Sequence, residues 1–376
     1  MAPTIWCGAL APAVLIALTA ACAAADTGNA RSGSVIVHSA LGGQILGYDV
    51  DQNGKEGILS EFVALENGKN DVAVETFDQK TGKIVKIVRE EKNTLNDFAA
   101  YPVAGAGVGL VLHQKYGRDH LYKNSYDVLN PLKKNRINGT WTPPLGMDEE
   151  LWSVSESQGQ PMTAIMIIEN DGNAESFVLS TNVAANSFGP EVALTDPIFD
   201  FDNSPVMALD SVTSTAVVAS SNACRACGTE LALADLVHGT FAEFSGLGLG
   251  YVNGIAVDSA DGIACTTTEI DADVEFYDLA TQTGFKVSMP NATSQEQSGA
   301  DVEFDEANKL FLIGQPVSST GSGSSVQVFD TKGNFIESIN NLSLPVSSAL
   351  IALNPHTRTA WVWEAPGGTA LQSFAY

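Results

Sequence analysis

The densest run of groups able to do chemistry is Thr266-Thr267-Thr268-Glu269-Ile270-Asp271-Ala272-Asp273. Hydroxyls and three carboxylates crowd into one strand-like stretch and its exit. Clustered carboxylates resist joint ionisation unless a cation or a hydrogen-bond donor relieves them. The run therefore reads as a polar rim for a sugar or a metal ion, with Thr268, Glu269, Asp271 and Asp273 as its candidate ligands. Its plainer reading is an exposed turn, since most carboxylates are solvated. Two more candidates, Asn253 and Asp301, stand at equivalent starts of two similar apolar segments, 48 positions apart. Polar groups converging in a concavity are the default binding-site hypothesis. Asn and Asp also satisfy backbone amides in tight turns, and both readings stay open here.

Asp49-Val50-Asp51-Gln52-Asn53-Gly54 begins like a calcium loop, with oxygen ligands Asp49, Asp51 and Asn53 at alternate positions and a Gly at the sharp turn. The twelfth position is Ser60, and Glu61 falls one place late. The same residues read as an Asn-Gly hairpin turn between Tyr48 and Ile58, the reading favoured here. Calcium or another divalent cation is the only cofactor class these patterns suggest. Cys224-Arg225-Ala226-Cys227 is expected to form a loop-stapling disulfide, leaving Cys265 buried and unpaired. A bridge from Cys265 to either of them is the other pairing the spacing permits. His38, His113, His120, His238 and His356 form no close metal-binding pair. There is no Gly-x-Ser-x-Gly nucleophile elbow and no Gly-rich phosphate loop. Asn138, Asn291 and Asn341 head glycosylation acceptor triplets, relevant if the source is eukaryotic.

The elements that must position these residues are strands. Apolar segments are short, rich in Val, Ile, Thr and Phe, and bounded by Gly, Asn, Asp or Pro, the signature of an all-β chain. A repeat runs through the C-terminal half. An apolar strand ends in Asp210, Asp258, Asp305 or Asn354, a polar turn follows, and a second apolar strand begins. These anchors are 48, 47 and 49 positions apart. A third strand ending in Asp235, Asp278 or Asp330 turns toward a fourth. Four antiparallel strands at this period describe a β-propeller blade, which must pack in a ring to bury its faces. Seven blades are expected, with six or eight as the neighbouring counts. The C-terminal unit ends short, near Leu371-Gln372-Ser373-Phe374. Val35-Ile36-Val37, Ile45-Asp49 and Ile58-Phe62 are the N-terminal strands that could complete the last unit and close the ring, with Ile45-Asp49 or Ile58-Phe62 expected in the last sheet. Residues 99–197 match the repeat poorly and should carry long loops.

Ile45-Leu46-Gly47-Tyr48-Asp49 to Gly54, and Glu275-Phe276-Tyr277-Asp278 to Gly284, resemble the strand–turn units of seven-bladed lactonase-type and YVTN-type propellers. Asn253-Gly254-Ile255-Ala256-Val257-Asp258 is similar to the Asn-Gly segment of gluconolactonase-type propellers. That resemblance implies a metal ligand at the channel mouth for Asn253. The position matching it in the next unit is Ala300, with Asp301 one step away.

Residues 9–21 are apolar and small, and Ala23-Ala24-Ala25 precedes Asp26, as before a secretory cleavage site. Residues 1–25 are expected to be a signal peptide and residues 26–376 a single secreted or extracytoplasmic propeller without a membrane span. Cys22 as a lipid-modified residue is the competing reading of the leader. The formal charge of −25, from 19 Lys+Arg and 44 Asp+Glu, argues against a nucleic-acid partner, which needs clustered cations. Two functions are carried forward. One is a binding or scaffold protein for a small molecule, glycan or protein. The other is a lactonase-like or related hydrolase with a divalent cation in the central channel.

Overall fold

The computed structural model describes residues 35–50, 55–64, 70–92, 100–103, 108–116, 122–129, 137–141, 149–156, 163–169, 176–182, 185, 187–199, 205–221, 228–268, 272–290, 301–315, 325–340, 351–363 and 368–376. Apart from one 3-10 turn, Pro197–Phe199, the regular structure among the described residues is β-strand. The strands hydrogen-bond antiparallel in consecutive groups. The first sheet contains Gln44–Val50, Glu56–Ala64, Asn70–Asp78 and Ile84–Lys92. The second contains Ala100–Val103, Val108–Tyr116, Tyr122–Leu129 and Ile137–Trp141. The third has Glu149–Glu156, Thr163–Glu169, Ser176–Asn182 and Ser187–Phe188, with Val192–Leu194 also paired to Ser176–Asn182. Val206–Asp210, Thr215–Ser221, Gly228–Asp235 and Thr240–Leu249 make the fourth. Val252–Asp258, Ile263–Thr268, Asp273–Asp278 and Thr283–Ser288 make the fifth. The sixth is Asp301–Asp305, Leu310–Gln315, Ser325–Asp330 and Phe335–Ile339. The last joins Ile351–Asn354, Thr359–Trp363 and Ala370–Ala375 to Ile36–His38. The first strand of each sheet packs against the first strand of the next, and Ile351–Asn354 returns to Gln44–Val50. This is a β-propeller.

The second strands are near-continuous apolar runs because both of their faces are covered. In Ala216-Val217-Val218-Ala219, Ala216 and Val218 pack toward Met166 and Val178 of the third sheet. Val217 and Ala219 pack toward Val252 and Ile255 of the fifth. Each buried Val, Leu or Phe contributes about 1.5–3 kcal/mol, so the packing between sheets is the main stabilising term. Outer strands lack a second neighbour, and Thr283–Ser288 is exposed along most of its length.

The ring closes through the first of the N-terminal candidates, around Val35-Ile36-Val37, and not through the two strands expected in the last sheet. Ile45-Asp49 and Ile58-Phe62 belong to the first sheet, where Asn70–Asp78 and Ile84–Lys92 complete their own set of four. The strand that completes the last sheet is Ile36–His38, with Ile36 opposite Gln372 and His38 opposite Ala370. Val35 N–H donates to Ser373 Oγ at 2.9 Å, and Ser373 N–H donates back to Val35 O at 2.8 Å. The middle of the chain also differs. Residues 100–194 form two sheets of their own, joined by connections of uneven length that blur the period.

The repeated Asp residues have a common task. Asp258 Oδ1 accepts the N–H of Ala260 and Asp261, and Asp305 Oδ1 accepts those of Ala307 and Asn308. Four positions after each anchor the backbone turns left-handed, at Ser214, Gly262, Lys309 and Arg358. These turns also join sheet to sheet. Ser211 N–H donates to Ser259 Oγ, and Lys309 Nζ lies 2.6 Å from Asp258 Oδ1. Tyr376 Oη donates to Asp305 Oδ2 at 2.7 Å, and Asn354 Nδ2 donates to Gln79 Oε1 at 2.7 Å. The result is a belt of turn contacts running from the fourth sheet to the first. The four anchor side chains are buried, so a polar group lost there cannot be replaced readily by water.

Candidate channel-mouth site

Asn253 and Asp301 stand at the entries of two consecutive inner strands, Val252–Asp258 and Asp301–Asp305, which pack together. Gly254 makes that approach possible. A Cβ added there would lie 2.8 Å from Asp301 Cα and 2.8 Å from Val302 N, both rigid backbone. Asn253 sits in a register break, because Val252 opposes Thr268 while Gly254 opposes Thr267. Such a bulge leaves one residue out of the ladder and re-aims its side chain. Similar breaks occur at Leu46 and Trp152, near the starts of the first and third inner strands. No sequence pattern announced these bulges; each reduces to one extra residue between two apolar runs.

Along the inner strands a line of carboxylates extends from this mouth. Asp301 Oδ1 accepts Val302 N–H at 2.9 Å, and Asp49 Oδ1 accepts Val50 N–H at 2.7 Å. Glu303 follows Asp301 by two residues on the same strand and is partly exposed. Burial pushes its carboxyl well above the ordinary range, and the charges of Asp301 and Asp49 push it further. The same field reaches Tyr48. Burial first, then Asp301, Glu303 and Asp49, raise its phenol well above the usual value, and its hydroxyl donates to Trp361 O at 3.0 Å. Sequence reading missed Glu303; its cue was the alternation Asp301-Val302-Glu303-Phe304, which puts both carboxylates on one strand face.

Thr268 and Asp273 lie farther from the axis. Thr268 is fully buried on the second strand, and its hydroxyl has no hydrogen-bond partner. Asp273, on the third strand, accepts Ser288 Oγ at 2.6 Å. Glu269 and Asp271 lie outside the described residues, as do Asp51, Asn53, Cys224, Cys227, Asn291 and Asn341. Asn138 falls within the strand Ile137–Trp141. Asp49 is the penultimate residue of the strand Gln44–Val50, which pairs antiparallel with the next strand in sequence, Glu56–Ala64. Among the described residues, no three His, Cys, Asp or Glu side chains converge closely enough to hold a metal ion.

Between the fourth and fifth sheets, Thr266 Oγ1 donates to Glu275 Oε2 at 2.9 Å. Gly248 N–H donates to Thr229 Oγ1, and Leu247 N–H donates to Tyr277 Oη. Burial, followed by the Glu275 charge, pushes the Tyr277 phenol up to about 12. The hydroxyl-rich run is therefore partly interior packing. Cys265 is fully buried with a free thiol, and burial raises its proton affinity well above normal, with Glu275 adding to it. Such a thiol is unreactive and packs as a small apolar group.

No protein-family model matches this chain. No curated protein sequence matches it either. Its backbone is similar to solved structures, among them one described as "Structure of U3-55K". That structure superposes with a TM-score of 0.61 over 93% of this chain and 100% of that chain, at 9% sequence identity. The likeness supports the propeller fold and carries nothing about activity.

Proposed function

We propose that this protein is a secreted binding propeller whose ligand enters the channel mouth beside Asn253 and Asp301. Each hydrogen-bonded sheet counts as one blade in this reading, giving a seven-bladed, single-domain mature protein after removal of residues 1–25. The observation that carries the functional reading is the line Asp301, Glu303 and Asp49, whose mutual field raises the proton affinity of Glu303. A channel that already strains to hold its negative charge favours a cationic group, which lowers the field on entering. The ligand class is therefore a cation or the cationic part of a small molecule, glycan or protein. A channel hydrolase would use a divalent ion as Lewis acid, with Asn253 and Asp301 as its first ligands. The spread of the carboxylates along the channel favours binding over that chemistry.

Thermal unfolding with calcium, magnesium, zinc or spermidine tests the reading. A ligand that binds only the folded state raises the melting temperature, by about 2.7 kcal/mol of stability at a hundredfold excess over Kd. Asp301→Asn and Glu303→Gln should weaken the shift. If none of the four cations and no chelator moves the transition, the channel is not a cation site.

A further inference from the structure

The connection at residues 39–43 leads from the closing strand Ile36–His38 into the first inner strand, Gln44–Val50. It belongs to the same class of sheet-to-sheet connection as those entering Asn253 and Asp301. Two carboxyl groups lie beneath it. Glu61 and Glu75 occupy adjacent strands of the first sheet, and both are completely buried. Leu59 stands opposite Glu75 and Ala73 opposite Glu61, so the two carboxyl groups are diagonal neighbours on one face of the sheet. Ala40 N–H donates to the Glu75 carboxyl at 3.0 and 3.3 Å. Leu41 N–H donates to Glu61 Oε1 at 3.3 Å, and Gly43 N–H donates to Glu61 Oε2 at 2.9 Å. Ser39 Oγ closes the connection on itself by donating to Gly43 O at 3.1 Å. A Cβ at Gly43 would stand 2.3 Å from Phe62 O, so the backbone rests directly on the carboxyl-bearing strand.

We propose that Glu61 and Glu75 form a proton-sharing latch that holds residues 39–43 onto the first sheet, and that loss of the shared proton releases them. Two carboxylates that are diagonal neighbours beneath the same five-residue connection, and away from water, cannot both ionise without heavy repulsion. One proton between them supplies the donor for their mutual bond and leaves the remaining oxygens for the three N–H groups above. The connection itself offers no charged side chain. His38 precedes it and is exposed. On the outer strand Ile87 stands opposite Glu75, while Lys86, Arg89, Glu90 and Glu91 stand opposite Thr76, Ala73, Val72 and Asp71. From the facing last sheet, the next charged residue in sequence is Glu364, outside the described residues. Burial, then the hydrogen bond and charge of Glu61, raise Glu75 to about 8, with Ala40 N–H pulling the other way.

The sign follows from linkage. Glu75 holds its proton in the latched state and releases it at about pH 4.5 once freed. Latching is therefore strongest at acid pH and weakens as pH rises toward 8. Hydrogen exchange of the segment containing residues 39–43, corrected for the intrinsic pH dependence, should show this directly. Protection is expected to fall about tenfold per pH unit from 6 to about 8 and then level off. The segment Ile263–Thr268 should not follow that profile. Glu75→Gln keeps a donor toward Glu61 without a titrating proton, and it should flatten the profile. A wild-type segment with pH-independent protection would overturn the proposal, and so would a folded Glu75→Gln variant that keeps the wild-type slope. If that variant fails to fold, the wild-type profile alone decides.

Discussion

Asp258→Ala should be among the most damaging single truncations outside the apolar interior. The side chain is fully buried and accepts two backbone N–H groups at 3.1 and 3.2 Å, along with Lys309 Nζ at 2.6 Å. Each backbone bond contributes about 1 kcal/mol, and the charge-assisted bond about 2. Lys309 keeps 38% of its side chain exposed, so water recovers part of what the ammonium loses. Its bond to Glu306 Oε2 at 3.3 Å and its position over the Phe304 ring also survive. The net expectation is a loss of about 3 kcal/mol, at the lower end of the range for breaking a fully buried pair. Urea unfolding followed by tryptophan fluorescence measures it, as a lower midpoint at unchanged slope. Asp235→Ala is the matched comparison. Asp235 makes the same kind of turn, accepting Val237 and His238 N–H and meeting the His238 ring at 2.7 Å, but its carboxylate is solvent-exposed and these bonds stay within its own hairpin. Equal midpoint shifts for the two variants would refute the argument that the inner belt couples one sheet to the next.

Gly254→Ala should cost about 1–3 kcal/mol, because the new methyl meets the Asp301 backbone and the two inner strands must separate; an unchanged melting curve would refute the close approach. Cys265→Ser should destabilise by about 1–3 kcal/mol, since a hydroxyl replaces an apolar-like thiol in a sealed site; equilibrium unfolding checks it. With residues 26–376, thiol titration of the denatured, unreduced protein should find one thiol, and three would exclude the Cys224–Cys227 bond. Tyr376→Phe removes one donor to Asp305 and should cost about 1 kcal/mol, because Ala307 and Asn308 still serve that carboxylate.

The propeller was legible because its repeat has a physical cause that leaves residues behind. An inner strand must end in a side chain that can accept turn amides, hence Asp210, Asp258, Asp305 and Asn354 at nearly constant spacing. A second strand covered on both faces must be apolar throughout, hence Phe311-Leu312-Ile313. The closing strand was legible only as one of three candidates, Val35-Ile36-Val37 beside Ile45-Asp49 and Ile58-Phe62. Ile36–His38 contributes three residues, and what distinguishes it from Ile45-Asp49 is a partner that sequence spacing does not encode. That the strands beginning near Asn253 and at Asp301 pack side by side was readable from equivalent positions in the repeat. The closeness of Glu61 and Glu75 was not, because it depends on the register between two strands and on a connection whose preceding strand is held by the last sheet.

The seam between Val35 and Ser373 has a consequence for how the molecule is made. Their hydrogen bond spans 338 positions. Closing a loop of that size costs roughly 3 kcal/mol more than closing one of about ten residues, at about 0.6 kcal/mol per doubling. Until Ala370–Ala375 has been synthesised, Ile36–His38 has no partner and the growing ring is an open arc. Its final step is thus a slow, long-range encounter that happens once, with an unpaired sheet edge exposed beforehand to neighbouring chains. A circular permutant that places residues 35–38 directly after a short linker from residue 376 would turn this encounter into a local hairpin. It should close faster and aggregate less during refolding, while the finished ring keeps the same contacts.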